Sequence, residues 1–231
     1  MNAGPVVVGP IRTPTGDRIL RWLAPSERHR LRSAPTHQQP RLLRGMLAAK
    51  LAVRLHEKLR SRSPSPPPRI VKQTAPTGEP SVNIHRDPPE TMRVSIAHPG
   101  ESTYAAVDTT RVGLDVEETR PVPRHLCRYF LSIEEEELLS VMPDSAEAAL
   151  IGWVVKESVL KWHGSGLSIP PRQATIRRLS VLPDASAVSG WAQVELFDPP
   201  LSGKIVTVRW LQTSRLTGAL VAVPGTETRS E

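Results

Sequence analysis

The sequence predicts an α+β fold in which an antiparallel sheet carrying helices occurs twice. Residues 40–62 place apolar side chains at three- and four-residue spacing, which predicts one long helix, and an apolar segment from about Ser145 to His163 predicts a second. Short stretches rich in β-branched residues, separated by turn formers, follow each helix. A chain of 231 residues with 39% hydrophobic content forms one large domain or two small lobes, and is long enough to bury a core.

The first part of the chain opens with a predicted strand, PVVVGPIRT, and continues with a short helix, APSERHRLRS, entered through Pro25. The long helix has basic residues between its apolar positions, which are Leu42, Leu43, Met46, Leu47, Leu51 and Val53. The segment SPSPPPR ends this helix, because proline lacks a donor N–H and fixes φ, and it predicts a linker or an extended rim. From residue 93, the stretches RVSIAH, TYAAVDTT and VGLDVEET predict short strands.

The second part contains helices followed by strands. Ser132 and Glu135 have capping-box spacing, and the acidic run Glu134–Glu137 is expected to be a solvated helix start, where the helix dipole favours acids. Asp144 and Glu147 repeat the capping signal before the second long helix. Four strand-like stretches follow: QATIRRLSVL, GWAQVELF, KIVTVRWLQ and TGALVAVP. The second of them has the two-residue period of a half-buried strand.

Positive charge is concentrated in the first third of the chain. Residues 1–72 hold 15 of the 30 lysines and arginines but three of the 23 acidic residues, within a formal net charge of +7. This asymmetry indicates a polyanionic partner, which is either a nucleic acid or a small phosphorylated ligand. GC-biased codon usage, which enriches surfaces in arginine, is the alternative explanation.

Location signals favour the cytoplasm. Cys127, the single cysteine, cannot form an internal disulfide and is expected to be a small buried residue, as in a reducing cytosol. The N-terminal stretch MNAGPVVVGP has no export signal, and the apolar stretch LLRGMLAAKLAVRL is interrupted by Arg44, Lys50 and Arg54. We therefore expect no membrane association.

Charged residues lie inside the apolar second helix. At about 100° per residue, Glu157 and Lys161 fall within an arc of apolar positions, and the opposite side is apolar too, so the helix is expected to be buried. A buried carboxylate needs a partner or a metal. Two interpretations remain open: a structural Glu157–Lys161 pair, or a site with Glu157 as metal ligand or base and with Lys156 and Lys161 at a phosphate. The glycines of HGSGL suit a helix C-cap or a close approach to a ligand.

Two further groups of residues could bind ligands. Asp115 and Glu117 are two residues apart in a predicted strand and therefore face the same way, as Mg²⁺ ligands would, although a solvent-facing acidic pair is the ordinary alternative. His98 ends a strand before a Pro-Gly turn, where it is either structural or a donor to a phosphate.

These stretches together resemble the 4′-phosphopantetheinyl transferase superfamily, of the long type that serves peptide and polyketide synthetases. GLDVE at 113–117 and WVVKESVLK at 153–161 match the two halves of its signature, in order and at its spacing. GSGLSIP and FLSIEEEELL are also similar to the family, and the first-lobe helices are similar more loosely. The resemblance covers about residues 20–170.

The resemblance implies an activity and an architecture. The family moves the phosphopantetheine arm of coenzyme A to a serine of an acyl or peptidyl carrier protein and releases adenosine 3′,5′-bisphosphate. Its fold has two similar α+β lobes related by a pseudo-twofold, with coenzyme A in the cleft between them. We expect a monomer with a basic N-terminal lobe, residues 1–111, and a C-terminal lobe, residues 112–231, that carries the magnesium and catalytic motifs.

The resemblance also assigns roles. Asp115, Glu117 and Glu157 match the magnesium ligands, and Glu157 matches the base for the serine hydroxyl. The pyrophosphate and nucleotide positions match basic residues, namely Lys161, His98, Arg41 and one of Arg28, Arg30 and Arg32, of which Arg30 is our choice.

Three positions depart from the family pattern: Ala97 replaces a serine, Pro99 replaces a small polar residue and Glu79 replaces a cation. A catalytically impaired relative that binds a carrier protein is therefore one alternative function. A basic nucleic-acid-binding protein is another, but the sequence shows neither aromatic-basic interleaving nor a known binding module.

Overall fold

The computed structural model describes residues 4–13, 17–60, 69–72, 80–84, 90–142, 145–183, 187–199 and 202–222. Most of the segment SPSPPPR lies outside these ranges, as do Glu79 and Asp144. The chain forms two compact units, Met1–Thr109 and Thr110–Glu231. The sequence prediction had placed the division after residue 111.

Within the described residues, the first unit is a five-stranded antiparallel sheet with two α-helices. Its elements are β1 (Val6–Ile11), α1 (Pro25–Ser33), α2 (Gln39–Arg60), β2 (Arg69–Lys72), β3 (Pro80–Ile84), β4 (Glu90–Ala97) and β5 (Thr103–Asp108). The strand order is β1-β5-β4-β3-β2. Small apolar residues of α2 pack on the sheet and form the core of this unit, with Ala48, Ala49, Ala52 and Val53 against Met92, Val94, Ala105 and Val107.

In the part of the chain that the structure describes, the second unit has a five-stranded antiparallel sheet and three α-helices. Its elements are β6 (Val112–Glu118), α3 (Arg124–Phe130), α4 (Ile133–Leu139), α5 (Ser145–His163), β7 (Ala174–Pro183), β8 (Val188–Leu196), β9 (Ile205–Gln212) and β10 (Leu216–Ala222). The strand order is β6-β10-β9-β8-β7. Helix α5 is buried, as predicted, with Ile151, Val154, Val155, Val159 and Leu160 fully inaccessible.

Both units follow one topology. Each begins with a strand, passes through helices and returns through four strands, the last of which pairs with the first. The predicted α+β class is therefore confirmed, whereas the pseudo-twofold relation between the units stays a prediction. Strands β2 and β3 were not predicted. Among the described helices, none combines the length and the apolarity needed to cross a membrane.

Candidate metal and active site

A cluster of three carboxylates lies on the α5 side of β6. Asp115 and Glu117 alternate with Leu114 and Val116, so the two acids point towards α5, which contributes Glu157. One carboxylate oxygen from each acid can be chosen so that the three lie within 4.8 Å of one another. The structure therefore brings together the three residues that the resemblance assigned to magnesium.

Gly113 allows this cluster to form. A Cβ atom at residue 113 would lie 1.9 Å from the carbonyl oxygen of Ser158 and 2.7 Å from the backbone nitrogen of Trp162. Only glycine permits the backbones of β6 and α5 to approach this closely. The backbone contact places Glu157 opposite Asp115.

Lys161 joins two of the three acids. Its Nζ lies 2.7 Å from Asp115 Oδ1 and 3.3 Å from Glu157 Oε1. The side chain of Asp115 is 3% exposed, whereas those of Glu157 and Lys161 are 15% and 23% exposed. The Glu157–Lys161 pair of the sequence analysis thus exists, but it is one side of a larger cluster that is open to solvent.

The electrostatics of the cluster show an excess of negative charge. Burial, with additional repulsion from Glu157 and Glu117, raises the pKa of Asp115 to about 7 despite the attraction of Lys161. Burial and Glu157 also raise the pKa of Glu117. Burial lowers the pKa of Lys161, but Asp115 and Glu157 together outweigh this effect, so its pKa lies above the usual value. One ammonium is too little charge for three carboxylates.

The donor set fits a hard divalent cation. Mg²⁺ prefers carboxylate oxygens together with retained waters and substrate phosphates. Asp115 Oδ2 is buried and makes no hydrogen bond. A buried acceptor without a partner is costly, and a bound cation would satisfy it. Asp115, Glu117 and Glu157 would hold such an ion.

Lys156 is not part of this cluster. Its side chain is fully buried, and its Nζ lies 2.7 Å from Glu135 Oε1. We therefore do not retain the sequence-based assignment of Lys156 to coenzyme A, because a lysine enclosed in this way cannot reach a phosphate.

Glu135 is the residue that the sequence analysis missed. It was expected in a solvated helix start, yet its side chain is 2% exposed. Besides Lys156, its carboxylate accepts hydrogen bonds from the backbone N–H groups of Ser132 at 2.8 Å and Ile176 at 2.7 Å. The signal was present in two parts, since the capping box restricts Glu135 and a lysine in a helix that is apolar all round needs an acidic partner.

The helix end after Lys161 follows the prediction of a glycine cap. The N–H of Gly164 donates to the carbonyl of Leu160 at 3.0 Å, and Gly164 has φ +94°. This left-handed conformation is accessible to glycine at little cost.

The residues assigned to the nucleotide lie in the first unit. His98 is half-buried at the end of β4, and its Nδ1 lies 2.9 Å from Thr103 Oγ1. Arg41 is exposed on α2, and Arg30 is exposed on α1. A cavity of about 280 Å³ is lined by Arg28 and Arg32 together with Leu20, Leu31 and Gln39. Arg30, our choice from the sequence, is not among these lining residues.

Comparison with known proteins connects this geometry to a family. Residues 111–193 match the model of the 4′-phosphopantetheinyl transferase superfamily, a segment that includes Asp115, Glu117, Glu157 and Lys161. This segment of the chain is similar to the 4′-phosphopantetheinyl transferase superfamily. The sequence-based identification is thereby confirmed.

Curated relatives in the superfamily support the same conclusion. The chain is 32% identical over 105 residues to 4′-phosphopantetheinyl transferase psf-1 of Bacillus pumilus, covering 45% of this chain and 43% of the relative. It is also 32% identical over 85 residues to 4′-phosphopantetheinyl transferase Sfp of Bacillus subtilis strain 168, covering 36% and 38% of the two chains. The matched region spans less than half the length of these relatives.

Proposed function

We propose that this protein transfers the 4′-phosphopantetheine arm of coenzyme A to a serine of an acyl or peptidyl carrier protein in a magnesium-dependent reaction. Adenosine 3′,5′-bisphosphate is the second product. One observation carries the proposal: Asp115, Glu117 and Glu157 converge with Lys161, and all four fall in the segment that matches the superfamily. A structural ion pair with Lys161 uses Asp115 Oδ1 and does not account for Asp115 Oδ2, which is buried and makes no hydrogen bond.

Glu157 is the proposed general base. A serine hydroxyl is a poor nucleophile until a base accepts its proton. Glu157 is more exposed than Asp115, so an incoming hydroxyl can reach its carboxylate. The serine oxygen attacks the β-phosphorus of coenzyme A while its proton passes to Glu157. The bond between that phosphorus and the bridging oxygen breaks, and the bridging oxygen leaves with the nucleotide.

Lys161 and a bound cation would both reduce the negative charge on the reacting pyrophosphate. When bound, Mg²⁺ withdraws charge from the pyrophosphate and orients it. Lys161 supplies a further positive charge at the end of a flexible stem, suited to the oxygen that becomes negative as the bond breaks. Asp115 and Glu117 hold the negative charge that the cation requires.

The first unit is the proposed nucleotide side. Three groups supply positive charge or donors for the phosphates of coenzyme A: the cavity with Arg28 and Arg32, the exposed Arg41, and His98. Arg28 and Arg32 replace Arg30 in this proposal, because they line a concave surface. The ligand accounts for the basic character of residues 1–72 without a nucleic acid.

Two of the three departures from the family pattern, at Ala97 and Pro99, do not argue against activity. Ala97 is 2% exposed and packs within the core, so a serine in its place would present little hydroxyl to a ligand. Pro99 is buried as well. Neither departure alters a carboxylate of the cluster.

Intact-mass spectrometry of an apo carrier protein tests the proposal. After incubation with this protein, coenzyme A and Mg²⁺, the carrier should gain one phosphopantetheine. The matched variant Asp115→Ala should fold and should transfer about 10³-fold more slowly, because losing a cation ligand removes several kcal/mol of transition-state stabilisation. A carrier that binds without gaining mass would show an impaired relative instead.

A further inference from the structure

We infer that Lys161 is a built-in competitor of the divalent cation, holding Asp115 and Glu157 until a phosphate draws its ammonium away. This inference rests on the proposed function, since it takes the three carboxylates as the cation's ligands. It adds a regulatory step to that site: the cation binds weakly to the protein alone and tightly in the presence of coenzyme A.

The contacts place the ammonium on the cation's own ligands. Nζ is 2.7 Å from Asp115 Oδ1 and 3.3 Å from Glu157 Oε1. A cation on either oxygen of Asp115, at the roughly 2.1 Å usual for Mg²⁺, would therefore lie within about 7 Å of Nζ. Charges of the same sign repel strongly at that distance in a partly buried site. Full occupancy of both positions by cations is unfavourable.

The ammonium has room to leave. Lys161 is 23% exposed, whereas Lys156, five residues earlier on the same helix, is fully buried. The four-carbon stem of a lysine allows Nζ to move several ångströms without displacing the helix. A phosphate on the open side of the cluster would offer the ammonium a new partner. The cation would then gain the oxygens that Lys161 releases.

Coupled binding follows from this exchange. Coenzyme A lowers the cost of removing Lys161 from the carboxylates, so it raises the affinity for the cation, and the cation must raise the affinity for coenzyme A by the same factor. A protein with this arrangement assembles its catalytic site when both components are present.

Calorimetric titration of the full chain with Mn²⁺ alone tests the competition. Mn²⁺ takes the same oxygen ligands as Mg²⁺. Lys161→Met should bind Mn²⁺ at least about tenfold more tightly than the unaltered protein, because the competing charge is gone. Arg120→Met is the matched control, since Arg120 is an exposed cation that acts on Glu117 through space. Its effect should stay below about threefold.

One outcome of the titration with Mn²⁺ alone would contradict the inference. Unchanged or weaker Mn²⁺ binding by Lys161→Met would overturn the competition. Circular dichroism and thermal melting verify that this variant is folded. Lys161→Gln keeps a hydrogen-bond donor without the charge, and it should also bind Mn²⁺ more tightly. If the methionine variant does not fold, the glutamine variant decides by the same criterion.

A second titration, with coenzyme A present, tests the release to phosphate. The unaltered protein should gain Mn²⁺ affinity when coenzyme A is added, and Lys161→Met should gain less. Equal gains would contradict the release step. If the unaltered protein does not bind coenzyme A at all, the proposed function fails, while the titration with Mn²⁺ alone still judges the competition.

Discussion

Two lysines on α5, five residues apart, form ionic clusters of opposite character. Lys156 and Glu135 make a closed pair, in which both carboxylate oxygens also accept backbone N–H groups. Lys161, Asp115 and Glu157 make an open cluster, with one buried oxygen of Asp115 left without a partner. Both lysines lie on one helix, and Lys156 pairs with one carboxylate whereas Lys161 contacts two.

Burial does not distinguish the two clusters. The side chain of Glu135 is 2% exposed and that of Asp115 is 3% exposed. The difference is hydrogen-bond satisfaction. A carboxylate whose acceptor capacity is filled by the protein contributes to the fold, whereas one with capacity to spare can bind a ligand. Glu135, the partner of Lys156, belongs to the first class, and Asp115, the partner of Lys161, belongs to the second.

The largest expected difference between the two clusters is in their contribution to the free energy of unfolding. Lys156→Met strands the buried charge of Glu135 and should lower the free energy of unfolding by about 3–5 kcal/mol, measured by denaturant titration. The control is Glu135→Leu with Lys156→Met, which removes both charges and should recover much of the loss. If the Lys156→Met protein is as stable as the original, the pair of Lys156 and Glu135 does not stabilise the fold.

Glu157→Gln tests the open cluster, where we expect a large loss of activity and little loss of stability. The variant keeps the size of the side chain but loses its basicity, so transfer to a carrier protein should fall by roughly 10²-fold or more, as for loss of a general base. The free energy of unfolding should change little, since Lys161 keeps Asp115 as its main partner. If this variant melts at a much lower temperature and yet transfers normally per folded molecule, the charge of Glu157 stabilises the fold and does not act in catalysis.

A smaller effect concerns pH. The pKa of Asp115 lies at about 7, and a bound cation requires the ionised carboxylate. Protons therefore compete with the cation below that value, and Mn²⁺ affinity should decrease by about tenfold for each pH unit below 7 if one proton is displaced. Above that value the affinity should level off. Calorimetry over this range is the measurement, with Asp115→Asn as the control that lacks this titration, and a flat profile would contradict the assignment.

Local patterns in the sequence predicted much of the fold. The bounds of α5 agree with the predicted Ser145–His163, because an apolar segment that ends at glycines specifies its own limits. The two-residue period of β8 likewise matches the burial of Ala192, Val194 and Leu196. Strands β2 and β3 were missed because they are short and have little apolar periodicity. Their pairing is determined by the sheet rather than by local sequence.

The site was predicted where its residues are close in sequence or lie in a signature. Glu157 and Lys161 are one turn apart, so periodicity placed them together. The contact of Lys156 with Glu135 spans 21 residues, and its formation depends on how α4 packs on α5. Local patterns indicate that Lys156 needs an acidic partner, but they do not specify which acid lies beside it. The choice among Arg28, Arg30 and Arg32 also required a three-dimensional surface.

The absence of a Cβ atom at Gly113 limits which residues can occupy this position in the site. Because β6 and α5 touch through their main chains at this residue, the separation of the two backbones that carry Asp115 and Glu157 is limited by the absence of a Cβ atom at residue 113. A single added methyl group at residue 113 would widen that separation. The distance between the two backbones at the candidate cation site therefore depends on the absence of a Cβ atom at residue 113.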